Sequence, residues 1–376
     1  MRQWLRGLGL ALGLALAACS SGPVTRPAVA PPPPTAPKAP PPISALPEDK
    51  ARHRVALLVP LSGPNGGAGQ SIANAAVLAL ADSHDQSLRI TTYDTGAGVA
   101  AAAQKAVAEG NRLILGPLLG EDAKIVAPIA AAAHVPVLAF SNDLTAAGDD
   151  VWLLGFQSAQ SIERVIRYAR SRGLTRFAGL MPQGTYGRNA STTMIHAVEA
   201  AKGTVVAIQT YERTPKSIAA AVATLNKQRF DAVLIADSAR GAIAAAPALK
   251  KSGARILGTE LWNAEAGLRA VPDMQGAWYA SVDDSYFDEL AAKYRARYGR
   301  TPWRLASLGY DAVLLTVRIS RDWSPNAPFP VQRLADEGGF SGVDGAFRFN
   351  AQHSAERALV VYQLGAGQVS AAPKDF

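Results

Sequence analysis

Residues Pro60 to Gly69 read PLSGPNGGAG, a glycine-crowded turn between the apolar run Val55–Val59 and an alanine-rich helical pattern. Free backbone amides at the start of a helix bind anions, so the first question is whether this loop cradles phosphate. A dinucleotide fingerprint needs G-x-G-x-x-G directly at the strand end. Here Gly67-Ala68-Gly69-Gln70-Ser71-Ile72 puts isoleucine in the third glycine's place, and no lysine occurs between Lys50 and Lys105 to complete a P-loop. The loop is instead a wide turn whose amides suit a carboxylate or hydroxyl as well as a phosphate. Catalytic constellations are equally sparse. No G-x-S-x-G elbow occurs, and His53, His84, His134, His196 and His353 show neither H-E-x-x-H nor close pairing. His134 reads as a cation at a helix C-terminus. The acidic pairs Asp149–Asp150 and Asp283–Asp284 read as turn and helix-start carboxylates, with calcium as the lesser alternative. The expectation is a protein that is not an enzyme, with no cofactor and no metal site.

The N-terminal segment, residues 1–18, has a positive head, Arg2 and Arg6, then an apolar stretch too short to span a bilayer. Leu16-Ala17-Ala18-Cys19 resembles the lipobox of bacterial lipoproteins, which implies cleavage before Cys19 and lipid attachment to its thiol. Ser20, rather than aspartate, resembles the default for sorting to the outer membrane, facing the periplasm. Cys19 is the sole cysteine, so the mature domain has no thiol for a disulfide, for zinc or for nucleophilic attack. Residues 19–53 are proline-dominated and predict a stiff tether, rising about 3 Å per residue and reaching on the order of 100 Å. The net charge of +8 is spread along the chain. Arg164, Arg167, Arg170 and Arg172 lie opposite the apolar stripe Ile162, Val165, Ile166 and Ala169, a solvated helix face. Such a surface suits anionic headgroups or an acidic partner; nucleic acid is not an expected partner.

From residue 54 onward, apolar strand-like runs alternate with helical periodicity. Strands are predicted at VALLV, LRITTYD, LILG, VPVLAF, VWLLGF, FAGLM, VVAIQTY, AVLIA, RILG and WYASV. Near-continuous apolar runs mark strands buried on both faces. The fold class is therefore α/β, with two doubly wound parallel sheets of about five strands each. Helices follow at residues 285–297 and 304–320, then a proline-rich turn and further strands in FSGVDGAFRFN and RALVVYQLGAG.

At this level the chain resembles the type 1 periplasmic binding proteins of the leucine/isoleucine/valine class. The residues that carry the resemblance are VALLVPLSGPNGGAGQSIANAAVLAL, LILGPLLGEDAKIVAPIAAAAHVPVLAFSN, TYGRN and the tail FSGVDGAFRFNAQHSAERALVVYQLGAG. ILGPLLGEDAKIVAP, FDAVLIADSARGAIAAAPAL and LGYDAVLL are also similar to the C-terminal domain of the outer-membrane lipoproteins that activate penicillin-binding proteins. The resemblance implies two lobes joined by three hinge crossings, near Gln157, Val282 and Trp323. Lobe 1 would comprise 54–157 and 283–322, and lobe 2 would comprise 158–282 and 323–376. Ligand groups would come from the carboxyl ends of strands. The candidates are Ser62, Gly63, Leu119, Gly120, Ser141, Asn142, Tyr186, Asp237 and Glu260. Each has an ordinary structural alternative: helix capping for Ser141, Asn142 and Asp237, hinge packing for Tyr186, a solvated loop carboxylate for Glu260. Glu260 stands where amino-acid receptors pair an acid with the ligand ammonium. Leu119 and Gly120 stand where such receptors place a hydroxyl for the carboxylate, and Gly67 and Ala68 where they place a bulky aromatic. With half of the zwitterion clamp missing, the expected function is regulation of a penicillin-binding protein in peptidoglycan synthesis from a Cys19 lipid anchor. The alternative is the substrate-binding protein of an ABC transporter for branched-chain or other amino acids or a small polar ligand.

Overall fold

The computed structural model describes residues 52–370 apart from Asp149. The signal segment, Cys19 and nearly all of the tether lie outside the described residues. Among the described residues, no helix is long and apolar enough to cross a membrane.

Strand and helix alternate through the first part of the chain: β1 His53–Val59, α1 Gly66–Ser83, β2 Leu88–Asp94, α2 Val99–Ala108, β3 Leu113–Leu115, α3 Gly120–Ala131, β4 Val137–Ala139 and β5 Val151–Leu153. These strands form one parallel sheet in the order β2-β1-β3-β4-β5. Every residue from Val55 to Val59 is fully buried, because helices cover both faces. The strand order reverses between β1 and β3, so the loops leaving these two strands diverge and open a crevice at the carboxyl end.

The second lobe repeats the pattern: α4 Ser158–Ser171, β6 Arg176–Pro182, α5 Thr185–Ala200, β7 Thr204–Tyr211, α6 Pro215–Leu225, β8 Ala232–Ile235, α7 Ala239–Lys250, β9 Arg255–Gly258 and β10 Trp278–Ser281. Local signals set the boundaries. The α6 helix starts with Pro215 at its first turn, after Thr214, whose hydroxyl accepts from Ser217 N at 3.3 Å. The apolar stripe of α4, Ile162, Val165, Ile166 and Ala169, is fully buried. Its arginines are only in part a solvated face: Arg164 donates to Leu359 O, and Arg170 to Ala201 O and Leu174 O.

The chain then returns to the first lobe. Helix α8 Ser285–Tyr298 ends at Gly299 in the left-handed region, and α9 Ala306–Ser320 packs along α1. That crossing is close, since a Cβ on Gly309 would overlap the carbonyl of Ile72. Strands β11 Phe340–Gly342, β12 Gly345–Phe349 and β13 Ala355–Arg357 form a small antiparallel sheet. Finally β14 Val360–Gln363 and β15 Gly367–Ser370 join the second lobe's sheet, in the order β15-β14-β10-β9-β8-β6-β7.

Two features differ from the sequence expectation. The second sheet has seven strands rather than five, because β14 and β15 extend its parallel core in antiparallel fashion. The third crossing does not fall at Trp323, and residues 323–357 do not belong with the second lobe. Trp323 is buried in the first lobe's core, stacked on His53 at 4.0 Å, and Phe340, Phe347, Phe349 and Ala355 share that core. The chain crosses at about residues 358–359, just before β14. A proline-rich turn after a helix looks like a hinge in sequence, but alternation of apolar residues in a hairpin does not say which core it covers.

Candidate functional site

A cavity of about 770 Å³ lies between the two lobes, walled by the loops that leave the carboxyl ends of both sheets. The first lobe contributes Asn65 and Ala68 after β1, Leu118 and Leu119 after β3, Phe140 and Asn142 after β4, and Phe156 after β5. The second lobe contributes Glu260 to Glu265 after β9, leaving out Trp262, and Ser281 at the end of β10 with Val282 just beyond it. The α8–α9 connection, Thr301 to Leu305, closes one side. The wall is thus largely apolar with a few polar groups, the usual make-up of a small-molecule pocket.

Of the nine sequence-derived candidates, Leu119, Asn142 and Glu260 line this cavity. Ser62 turns away, its Oγ donating to Asp94 Oδ2 at 2.8 Å beside the Leu61 amide on Oδ1 at 2.7 Å. Those donors, the Leu61 amide first, hold Asp94 below the usual carboxylate range. Gly63 is exposed in the left-handed region at φ 73°. Gly120 opens α3 against Asp143, and Ser141, almost fully buried, accepts the Asp143 amide at 2.9 Å. Asp143 in turn caps the next turn through Thr145 N. Asp237 is buried in a network of its own. It takes the Tyr211 hydroxyl at 2.6 Å, the Arg213 guanidinium at 2.9 Å and the Ser238 amide at 2.8 Å.

Glu260 is no solvated loop carboxylate. It opens a 3-10 turn, Glu260–Ala264, and its Oε1 accepts from the Tyr186 hydroxyl at 3.4 Å. The same hydroxyl meets Thr259 Oγ1 at 3.1 Å. The other oxygen, Oε2, is buried with no hydrogen-bond partner. Burial pushes the carboxyl from an ordinary 4.5 up to about 7, against the opposing hydrogen bonds. Burial also raises Tyr186, and the neighbouring Glu260 charge adds to it, so the phenol stays a donor.

The glycine turn serves packing. A Cβ on Gly69 would overlap the Pro60 carbonyl, so glycine there lets α1 start against the end of β1. A Cβ on Gly67 would lie 3.4 Å from Trp303 Nε1. The small first loop therefore sits beside a large ring supplied by the α8–α9 connection. Trp303 lines the cavity and is 59% exposed. It is followed by Arg304, whose guanidinium stacks 4.1 Å from the Phe287 ring centroid. Arg304 Nη2 stands 2.7 Å from Asp344 Oδ1 and 3.3 Å from Asp284 Oδ1, while Nη1 donates to Ser307 Oγ at 3.0 Å. Burial opposes the Arg304 charge, but Asp344 and Asp284 outweigh it and raise its pKa. Asp284 is also tied to the second lobe, accepting from Asn263 Nδ2 at 2.8 Å. Beneath them Arg357, buried, donates to Leu154 O at 2.9 Å and lies 3.9 Å from Asp344 and 4.0 Å from Asp311. Sequence reasoning missed Trp303 and Arg304 because it searched strand ends, and these residues enter the cavity from a helix–helix connection. Their only signal is the adjacent Trp-Arg pair just ahead of an apolar helix.

Residues 53–368 match the family model described as periplasmic binding protein. A curated relative, uncharacterized protein RP748 of Rickettsia prowazekii (strain Madrid E), is 26% identical over 181 residues, 48% of this chain and 48% of that protein. The chain thus spans about half the length of this relative. Among solved structures, a branched-chain amino acid ABC transporter protein from Rhodospirillum rubrum is similar at a TM-score of 0.76 and 18% identity, covering 85% of this chain and 99% of that one. The branched-chain amino acid substrate-binding protein of Streptococcus pneumoniae, in complex with isoleucine, gives 0.63 and 18%, covering 85% and 99%. A solute-binding protein of an ABC transporter from Rhodopseudomonas palustris BisB5, in complex with 3,4-dihydroxybenzoic acid, gives 0.65 and 18%, covering 86% and 98%. At these identities the likeness is one of fold.

Proposed function

We propose, from the premise that this chain belongs to the periplasmic binding protein family, that it is a solute-binding protein that captures a small molecule between its two lobes without catalysis. One observation carries this: the cavity of about 770 Å³ is walled by strand-end loops of both sheets and contains a buried carboxyl oxygen, Glu260 Oε2, with no partner of its own. A buried polar atom left without a hydrogen bond is costly, and a bound donor removes that cost. The family and the solute complexes of its solved relatives support delivery of the ligand to a transporter. The aromatic missing from the first loop is made good by Trp303. The experiment is a thermal-shift panel of branched-chain and aromatic amino acids, hydroxybenzoates and simple amines. A ligand at one hundred times its Kd stabilises by about 2.7 kcal/mol. A shift abolished by a bulky substitution at Ser281 in the cavity wall supports capture; a panel without any shift counts against it.

One observation favours a second role. Leu119, 39% exposed, occupies the cavity wall where a carboxylate-binding hydroxyl is expected. Together with a lipid on Cys19 and a proline tether, this suits a non-catalytic regulator held at the outer membrane and acting on a penicillin-binding protein. A purified glycan polymerase–transpeptidase whose rate rises on addition of this protein, with no solute present, would favour that role over transport.

A further inference from the structure

The charges that meet the cavity are not balanced. Glu260, Glu265 and Arg304 line it, and Arg304 is the one cationic side chain among the described lining residues. Its guanidinium already faces two carboxylates, Asp344 at 2.7 Å and Asp284 at 3.3 Å. A ligand carboxylate approaching it would meet a neutralised group. The start of α3 is no better as an anion site, since Glu121 and Asp122 in its first turn already answer the helix dipole. Glu260 has no cationic partner: its polar neighbours are the Tyr186 hydroxyl on Oε1, the Thr259 hydroxyl and its own backbone amide, and the buried Oε2 has no hydrogen-bond partner. Trp303, largely exposed on the same cavity wall, presents an aromatic face, which attracts cations as well as apolar groups.

We propose that the cavity selects small solutes bearing a single positive charge on an apolar or aromatic body, amines rather than carboxylates or zwitterions, with Glu260 as counter-ion and Trp303 as the stacking surface. The proposal rests on the solute-binding role above and names the ligand class for that site. An ammonium donates to Oε2, supplying both the missing hydrogen bond and the missing charge. A carboxylate on the same body would add a like charge close to Glu260, with Glu265 at the rim as a second one.

The test is calorimetric titration of the purified protein at pH 8 with three compounds that share one body: phenethylamine, 3-phenylpropionate and phenylalanine. The aliphatic set isoamylamine, isovalerate and leucine runs alongside. In each set the amine should bind at least tenfold tighter than the other two. Glu260→Gln should weaken the amine tenfold or more at unchanged melting cooperativity, and Trp303→Ala should weaken it with Glu260 intact. Tighter binding of phenylalanine, leucine or either carboxylate overturns the charge assignment and leaves solute capture standing. No heat from any member of either set overturns the ligand class; solute capture itself falls only if the thermal-shift panel, hydroxybenzoates included, also shows no shift.

Discussion

Replacing Glu260 by glutamine should stabilise the free protein, by an amount that grows as pH rises from about 4.5 and is full above 7. The carboxyl is raised from 4.5 to about 7, chiefly by burial. At about 1.36 kcal/mol per pH unit, that rise corresponds to on the order of 3 kcal/mol. The sign follows from proton uptake. Below about pH 4.5 the folded and unfolded chains both hold the proton, and Glu260 contributes nothing. Between 4.5 and 7 the folded chain holds more protons than the unfolded one, so stability falls as pH rises; above 7 the full cost of the buried charge is present. Glutamine keeps the shape and an acceptor for Tyr186 but cannot ionise. With an unfolding entropy of about 2.1 cal/mol/K per residue, the variant should melt about 4 °C higher than the parent at pH 8. At pH 5 the gap should shrink to about a quarter of that. Differential scanning calorimetry across pH 5 to 8 reads both. A variant that melts lower at pH 8, or gains the same amount at both pH values, would refute the claim that an uncompensated buried carboxyl lies in the cavity.

Other substitutions probe the frame around it. Trp303→Ala removes a ring that is 59% exposed, so stability should change by less than about 1 kcal/mol while ligand affinity drops about tenfold, measured by calorimetry on the same samples. Asp237→Ala strips Tyr211 and the Ser238 amide of a buried acceptor and should cost about 2–4 kcal/mol in urea unfolding, with Kd for the cavity ligand unchanged. Gly309→Ala forces a methyl group against the Ile72 carbonyl at the α1–α9 crossing and should cost about 3 kcal/mol, read from the unfolding midpoint.

Much of the fold was legible because parallel strands buried on both faces leave an unmistakable mark: VALLV lies inside β1, and LILG and AVLIA coincide with β3 and β8 to within one residue at the carboxyl end, covered on both faces. The hairpin Phe340–Phe349 was readable as strands, but its place was not. Its phenylalanines pack on the first lobe although the chain after it joins the second, and nothing in local alternation encodes that choice. The site was legible where it follows strand ends, as with Leu119, Asn142 and Glu260. Asp237 follows the same rule and points elsewhere, because Tyr211 at the end of β7, two strands away in the sheet, and Arg213 in the loop beyond it claim its oxygens. Trp303 and Arg304 escape the rule altogether: their position depends on how α8 and α9 return across the first lobe, a tertiary fact with no short-range signature.

The most direct measurement is a crystal structure of the protein grown with phenethylamine. It should show one molecule between the lobes, its nitrogen within hydrogen-bond distance of Glu260 Oε2 and its ring against Trp303. An empty cavity at saturating ligand, or a molecule bound with its nitrogen facing Arg304 and Asp344 instead, would contradict the account.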